Sequence, residues 1–165
     1  MSNRVEQLAA QFEAVNDELI ESVTGCTDEL WRQPSASEGW PVGVVAHHVA
    51  AVNGGFARFV EKLAAGETYS PTTSMDEIHK SNAQHARDYA EVGKPEVLDA
   101  LQTNGAAVAR ALRSLCEEQL DHTAGVFGGQ EMTVARVVEY VVVGHTAEHL
   151  ASIRATIAEQ AVRAD

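Results

Sequence analysis

Apolar residues recur every three or four positions along most of this chain, which is the spacing of amphipathic α-helices rather than of β-strands. The clearest stripe lies near the N-terminus and consists of Val5, Leu8, Phe12, Val15, Leu19 and Val23. The pattern predicts five helical segments, at about residues 3–24, 41–65, 74–91, 95–118 and 133–161, and no convincing strand. For a chain of 165 residues, we expect one all-α domain that covers residues 1–165.

Residues at the ends of these segments agree with helix starts and stops. Pro41 occupies a first helical position, Gly66 follows the second segment, and Ser74 with Glu77 forms a capping-box pattern. Three stretches without helical periodicity are predicted to be a short turn or loops: residues 27–33, 34–39 and 119–131. Long amphipathic helices joined by mostly short loops predict a four-helix up-and-down bundle, which can build metal sites from inward-facing side chains.

The charge of the chain excludes two classes of partner. With 24 acidic and 12 basic residues the formal net charge is −12, and such a surface repels nucleic-acid phosphates and anionic membranes. The N-terminal segment is charged throughout, unlike a signal peptide, and the most apolar run, residues 141–143, is far too short to span a bilayer. We expect a cytoplasmic protein that acts on a small molecule. Cys26 and Cys116 form no CxxC motif, and each is expected to be buried or half-buried.

Three histidines on two predicted helices are the strongest candidates for chemistry. His145 and His149 are four residues apart and therefore share a helical face, which is also the face of the valines at positions 138, 141 and 142. His48 lies in the apolar stripe of the second segment. Three inward imidazoles from two helices predict a metal site in which one coordination position stays open for water or substrate.

The alternative is that these are core histidines without a metal. A single histidine on an apolar face is usually a core residue with one satisfied hydrogen bond. Each buried imidazole, however, needs partners for its polar atoms. One metal ion would satisfy a nitrogen of all three rings at once, so we favour the metal site.

Other polar residues have less certain roles. His47 is rotated by about 100° from His48 on the helix and is the weaker ligand candidate. Asn82 either orients a ligand or makes a helix-to-helix hydrogen bond, and Glu148 is a candidate general base. The remaining histidines are expected at the surface: His79, His85 and His122.

The sequence lacks the motifs of several competing chemistries. Thr146 follows His145, so this is not the HExxH motif of zinc proteases. No histidine follows a glutamate by three positions, as carboxylate-bridged di-iron sites require. No GxSxG, GxGxxG or P-loop pattern occurs either.

The sequence from Trp40 to His48, WPVGVVAHH, resembles the second-helix motif of the DinB/YfiT-like superfamily, in which a tryptophan precedes the metal-binding histidine by eight positions. That offset selects His48 over His47. The C-terminal HTAEH sequence resembles the family's HxxxH motif, and the sequence around Asn82 resembles, less specifically, a third helix seen in relatives. The resemblance covers nearly the whole chain.

The resemblance implies a four-helix bundle in which His48, His145 and His149 hold a divalent metal ion, zinc or nickel, in a protein that is commonly a homodimer. Relatives such as the mycothiol-dependent maleylpyruvate isomerase use low-molecular-weight thiols as cosubstrates. Our leading hypothesis is a metal- and thiol-dependent S-transferase acting on small electrophiles, because coordination to a dication keeps a thiol deprotonated. A metal-dependent hydrolase and a non-catalytic metal- or ligand-binding bundle are the alternatives.

Overall fold

The computed structural model describes residues 3–67, 73–125 and 130–164. The helices in these ranges are α1 (Arg4–Thr24), α2 (Asp28–Arg32), α3 (Val42–Ala64), α4 (Met75–Asp88), α5 (Lys94–Arg113), α6 (Val134–Val137) and α7 (Gly144–Ala164). A π-helical stretch, Val138–Val143, joins α6 to α7. A 3-10 turn, Gln119–Asp121, precedes two short strands, β1 (Thr123–Gly125) and β2 (Glu131–Thr133).

Four long helices, α1, α3, α5 and α7, pack around two clusters of buried apolar side chains, which confirms the predicted all-α bundle. The stripe predicted for the N-terminal segment faces this core, where Val5, Phe12, Leu19 and Val23 are buried. Helix α4 is different, because it packs on α3 without burying any of its residues. No helix among the described residues is long and apolar enough to cross a membrane.

Regular structure occurs in two of the stretches predicted to lack it. Most of the predicted turn at residues 27–33 is the short helix α2, which Thr27 caps by accepting the N–H of Leu30. β1 lies in the predicted 119–131 loop and pairs antiparallel with β2, which begins at the last residue of that loop and ends where the fifth helix was predicted to begin, so the prediction of no strand is wrong there. Each strand has three residues, too few for an alternating pattern to be recognised. Residues 126–129 of this loop, and 68–72 of the loop before α4, lie outside the described residues.

Helix α5 is shorter than its apolar stripe predicts. It ends at Arg113 rather than near residue 118, so Cys116 lies in the turn that follows and its side chain is exposed. The expectation that both cysteines are at least half-buried is therefore wrong for Cys116 and confirmed for Cys26, which is buried. Helix α4 likewise ends at Asp88 rather than near residue 91.

The predicted fifth helix changes its winding just before the first of its two histidines. Gly144 donates its N–H to the carbonyl of Glu139, five residues earlier, which is the hydrogen bond of a π-helix. Such a turn contains more residues than an α-helical turn, so it shifts the directions of all later side chains relative to α6. His145, the second residue of α7, takes its direction from this turn.

Candidate metal centre

The structure brings together the three histidines that the sequence singled out. His48 lies on α3 and is buried, whereas His145 and His149 lie one turn apart on α7 and are half-buried. The Nε2 atoms of His48 and His145 are 3.1 Å apart. One nitrogen from each of the three rings lies within 4.8 Å of the other two, which is close enough for the three residues to hold one metal ion.

The distances and protonation states of these rings fit a bound ion. Zinc–imidazole bonds of about 2.0–2.1 Å at tetrahedral angles place two ligand nitrogens about 3.3 Å apart, close to the separation between His48 and His145. Burial, and after it the neighbouring histidines, lowers the pKa of His48 to about 4 and that of His145 to about 3. Both rings are therefore neutral at neutral pH, the form in which an imidazole nitrogen binds a metal.

Hydrogen bonding within the protein does not account for the ring of His145. Its Nδ1 atom is buried and has no hydrogen-bond partner among the described residues, while its Nε2 atom faces the Nε2 atom of His48. Buried polar atoms without partners are rare because they are costly. The alternative to a metal site is a set of three core histidines with satisfied hydrogen bonds. The described residues do not form such a set, because Nδ1 of His145 has no partner among them.

His149 is held by a carboxylate that the sequence analysis did not identify. Its Nδ1 atom lies 2.7 Å from Oε1 of Glu38, which favours a proton on Nδ1 and leaves Nε2 as the nitrogen for a metal. Burial raises the pKa of the Glu38 carboxyl, but hydrogen bonds from His149, Ser152 and Ser35 outweigh burial and lower that pKa to about 2. Glu38 is thus an ionised acceptor, as is common beside metal-bound histidines.

The loop that carries Glu38 is anchored on α7 next to His149. The Ser152 hydroxyl donates to Oε2 of Glu38 at 2.5 Å and accepts the N–H of Ser37 at 3.1 Å. The Thr156 hydroxyl accepts another N–H of the same loop at 2.9 Å. Ser152 and Thr156 follow His149 by three and seven positions and therefore continue its helical face. These two hydroxyl groups on the inward face of α7 are a signal in the sequence that a polar segment of the chain packs on that face.

Replacing Glu38 by alanine is expected to weaken metal binding by about 10- to 100-fold, because the His149 ring loses the acceptor that fixes its tautomer and orientation. Glu38→Gln keeps an acceptor oxygen but not the charge, so it should weaken binding less. Competition between metal-free protein and a zinc chelator measures both affinities. Exposed Glu29 on α2 provides the control, and an equal loss in Glu29→Ala would contradict the role of Glu38.

A cavity of about 340 Å³ lies beside the histidines. His48 and His145 form part of its wall, which also contains Val52, Phe56, Met75, Ile78, Asn82, Tyr140, Val141 and Glu148. The Asn82 side chain is half-buried and makes no hydrogen bond within the described part of the chain, so the predicted alternative of a helix-to-helix hydrogen bond is not observed there. Asn82 and Glu148 both border the space next to the candidate ligands.

The prediction that His85 lies at the surface is wrong. His85 is half-buried, because α4 packs across α3 and places its Nε2 atom 3.0 Å from Nδ1 of His47. Tyr89 packs on both rings, with centroids 3.9 Å from His47 and 4.7 Å from His85. His47 thus contacts α4 and is not one of the three clustered histidines. The other two histidines predicted at the surface, His79 and His122, are exposed.

Trp40 precedes α3 and packs edge-on against His48, with 5.8 Å between the ring centroids. The half-buried indole therefore covers the histidine about two helical turns further along the chain. This contact gives a physical reason for the eight-residue offset between the two residues.

The sequence profile of the DinB superfamily matches residues 11–153. This region includes the three clustered histidines, Glu38 and Trp40. The chain belongs to the DinB superfamily. The resemblance drawn from the motifs around Trp40 and the C-terminal histidines is therefore confirmed. A search of curated proteins gives no match to this DinB-superfamily chain.

Solved structures share the fold of this DinB-superfamily chain. YfiT from Bacillus subtilis, described as a probable metal-dependent hydrolase with an unusual four-helix bundle topology, aligns with a TM-score of 0.76 at 21% identity, over 98% of this chain and 90% of YfiT. The mycothiol-dependent maleylpyruvate isomerase aligns with a TM-score of 0.71 at 12% identity, over 93% of this chain and 63% of the isomerase. The chain thus spans less than two thirds of the isomerase, and at these identities the likeness establishes the fold alone.

Proposed function

We propose that this protein is a divalent-metal-dependent enzyme in which His48, His145 and His149 hold the ion and a small molecule is hydrolysed in the adjoining cavity. The observation that carries this proposal is that two of the clustered histidines also form part of the wall of that cavity. Three protein ligands leave a coordination position open, and the cavity gives a substrate room beside it.

The donor set fits zinc or nickel, since imidazole nitrogen suits both ions. A divalent ion held there would lower the pKa of a coordinated water or thiol toward neutrality. The protein's own contribution is to keep two of the ligands neutral and to hold the third in place. Burial keeps His48 and His145 unprotonated, and Glu38 holds the ring of His149 through Nδ1.

In the proposed reaction the substrate is an acyl compound. Its hydrolysis forms a bond between the oxygen of water and the acyl carbon and breaks the bond between that carbon and the leaving group. We assign to the Glu148 carboxylate, which borders the cavity, the transfer of one water proton to the leaving group. The similarity to YfiT over 98% of this chain supports hydrolysis as the reaction type.

Thiol transfer is the second candidate, and the fold similarity to the mycothiol-dependent isomerase favours it. In that reaction a thiolate sulfur forms a bond to an electrophilic carbon, and the leaving group departs with its electron pair. The same open coordination position would bind the thiol sulfur.

One assay separates the two candidates. Untagged protein loaded with zinc or nickel is given a 4-nitrophenyl ester of an uncharged aliphatic acid, with and without a cysteine-based thiol. Hydrolysis predicts release of nitrophenol without thiol, with the free acid as the other product by mass spectrometry. Release only with thiol, with a thioester product, would replace hydrolysis by transfer. No release in either case above the rate of a chelator-treated control would contradict both.

A further inference from the structure

The wall of the cavity beside the clustered histidines is largely apolar. Six of its ten residues have apolar or aromatic side chains: Val52, Phe56, Met75, Ile78, Tyr140 and Val141. These residues come from α3, α4 and the π-helical stretch. A wall of this kind favours a ligand with an apolar body, because binding removes apolar surface of both partners from water.

Among the described residues that line it, the cavity has one charged side chain, a carboxylate, and no lysine or arginine. Glu148 is the only Asp, Glu, Lys or Arg among the ten residues that line it. In metal-free protein an anion would face this carboxylate with no lysine or arginine among those ten residues, in a chain whose net charge is −12. A cation that contacts the wall is Arg136, whose guanidinium lies over the ring of Tyr140, 5.4 Å from its centroid. A cation would exchange its hydration for a mainly apolar wall, with one exposed carboxylate as its partner. The wall therefore favours an uncharged ligand over both.

Apolar surface remains open to solvent at this cavity. Met75 on α4 is 50% exposed and Tyr140 in the π-helical stretch is 58% exposed, although both are large hydrophobic side chains. The two residues belong to different elements and both border the cavity. Exposed apolar surface at a cavity is typical of a binding site, and a ligand with an apolar body would cover it.

The hydrogen-bonding groups of the wall, apart from the histidines and Glu148, are uncharged. They are the Asn82 amide and the Tyr140 hydroxyl. The Asn82 amide has no hydrogen-bond partner among the described residues, so it is free to donate to a carbonyl oxygen or accept an N–H of a ligand.

We propose that the cavity binds an uncharged small molecule with an aliphatic or aromatic body and one carbonyl group, and that neutral esters or amides of this kind are the substrate class. The statement about the substrate rests on the proposed function, whereas the statement about binding does not.

Three probes with the same phenylalkyl body test the inference: 4-phenylbutanamide, 4-phenylbutyrate and 4-phenylbutylammonium. Isothermal titration calorimetry on metal-free protein avoids direct coordination of the carboxylate to an ion. We expect the amide to bind about tenfold more tightly than either ion. Equal or tighter binding of an ion would overturn the inference, and so would the absence of amide binding by folded protein.

A charge placed at the exposed Met75 position tests whether binding occurs in this cavity. Met75→Lys is expected to strengthen 4-phenylbutyrate binding by about fivefold and to weaken 4-phenylbutylammonium binding by a similar factor. The matched control, Val162→Lys, adds the same charge at an exposed apolar residue on α7 that does not line the cavity, and it should leave both affinities unchanged. Unchanged affinities in Met75→Lys would overturn the assignment to this cavity. Because these measurements need neither metal nor turnover, they stand or fall separately from the proposed hydrolysis.

Discussion

Replacing His145 by alanine should remove the bound metal ion from untagged protein, while replacing the exposed His79 should leave it in place. His145 presents its Nε2 atom 3.1 Å from that of His48, so the variant loses one of the three candidate donor nitrogens. Loss of a residue that only supports a ligand costs about 10- to 100-fold in affinity, and loss of a ligand itself should cost at least the upper part of that range. Elemental analysis of protein purified without a histidine tag measures the metal content.

Thermal unfolding distinguishes a lost ligand from a lost fold. A metal ion that binds only the folded protein stabilises it by about 2.7 kcal/mol at a free concentration 100 times its dissociation constant. Adding zinc or nickel should therefore raise the melting temperature of the wild type and of His79→Ala. It should leave the melting temperature unchanged in the three ligand variants, which are His48→Ala, His145→Ala and His149→Ala. Stoichiometric metal retained in all three ligand variants, or a wild type that binds none, would rule out the site.

The helices and the three histidines could be predicted because their signal is local. An apolar stripe of period 3.6 marks the face that a helix buries, and His48, His145 and His149 each lie on such a stripe. The choice of His48 over His47 came from the Trp40 offset, and the edge-on contact between Trp40 and His48 explains that offset physically. The structure adds that His47 contacts His85 on α4 instead.

Glu38 and His85 could not be predicted because their roles depend on contacts that are distant in sequence. Glu38 lies 111 positions from His149 in a loop whose composition indicates only a turn. His85 belongs to α4, which has no buried residue, so its sequence carries little information on which side chains face α3. The hydroxyls of Ser152 and Thr156 were the available clue to Glu38, since they continue the inward face of His149.

The second large effect is expected from Gly43→Ala at the start of α3. A Cβ atom on Gly43 would lie 2.3–2.7 Å from three atoms of the Trp31 indole. The ring cannot move away freely, because it is 8% exposed and its Nε1 atom donates to the Val92 carbonyl at 3.0 Å. Overpacking costs about 1–3 kcal/mol and loss of a hydrogen bond about 0.5–1.5 kcal/mol. We therefore expect the melting temperature to fall by roughly 5–15 °C.

Gly55→Ala provides a control in the same helix. A Cβ atom on Gly55 meets nothing within 4 Å, so this change should raise the free energy of unfolding by up to about 1 kcal/mol through helix propensity alone. Opposite signs for the two substitutions would show that the contact with Trp31, and not the loss of a glycine from α3, destabilises Gly43→Ala. Equal effects would contradict the steric explanation.

A double-mutant cycle makes the steric explanation specific to one pair of side chains. Trp31→Phe removes the indole nitrogen and part of the ring that a Cβ on Gly43 would meet, at the cost of the hydrogen bond to Val92. In that background Gly43→Ala should cost much less, with a coupling free energy of about 1–3 kcal/mol. Chemical denaturation of the four proteins measures it. If the two substitutions instead changed the free energy of unfolding additively, Gly43→Ala would not act through its contact with Trp31, because substitutions of two residues in direct contact are expected to be coupled.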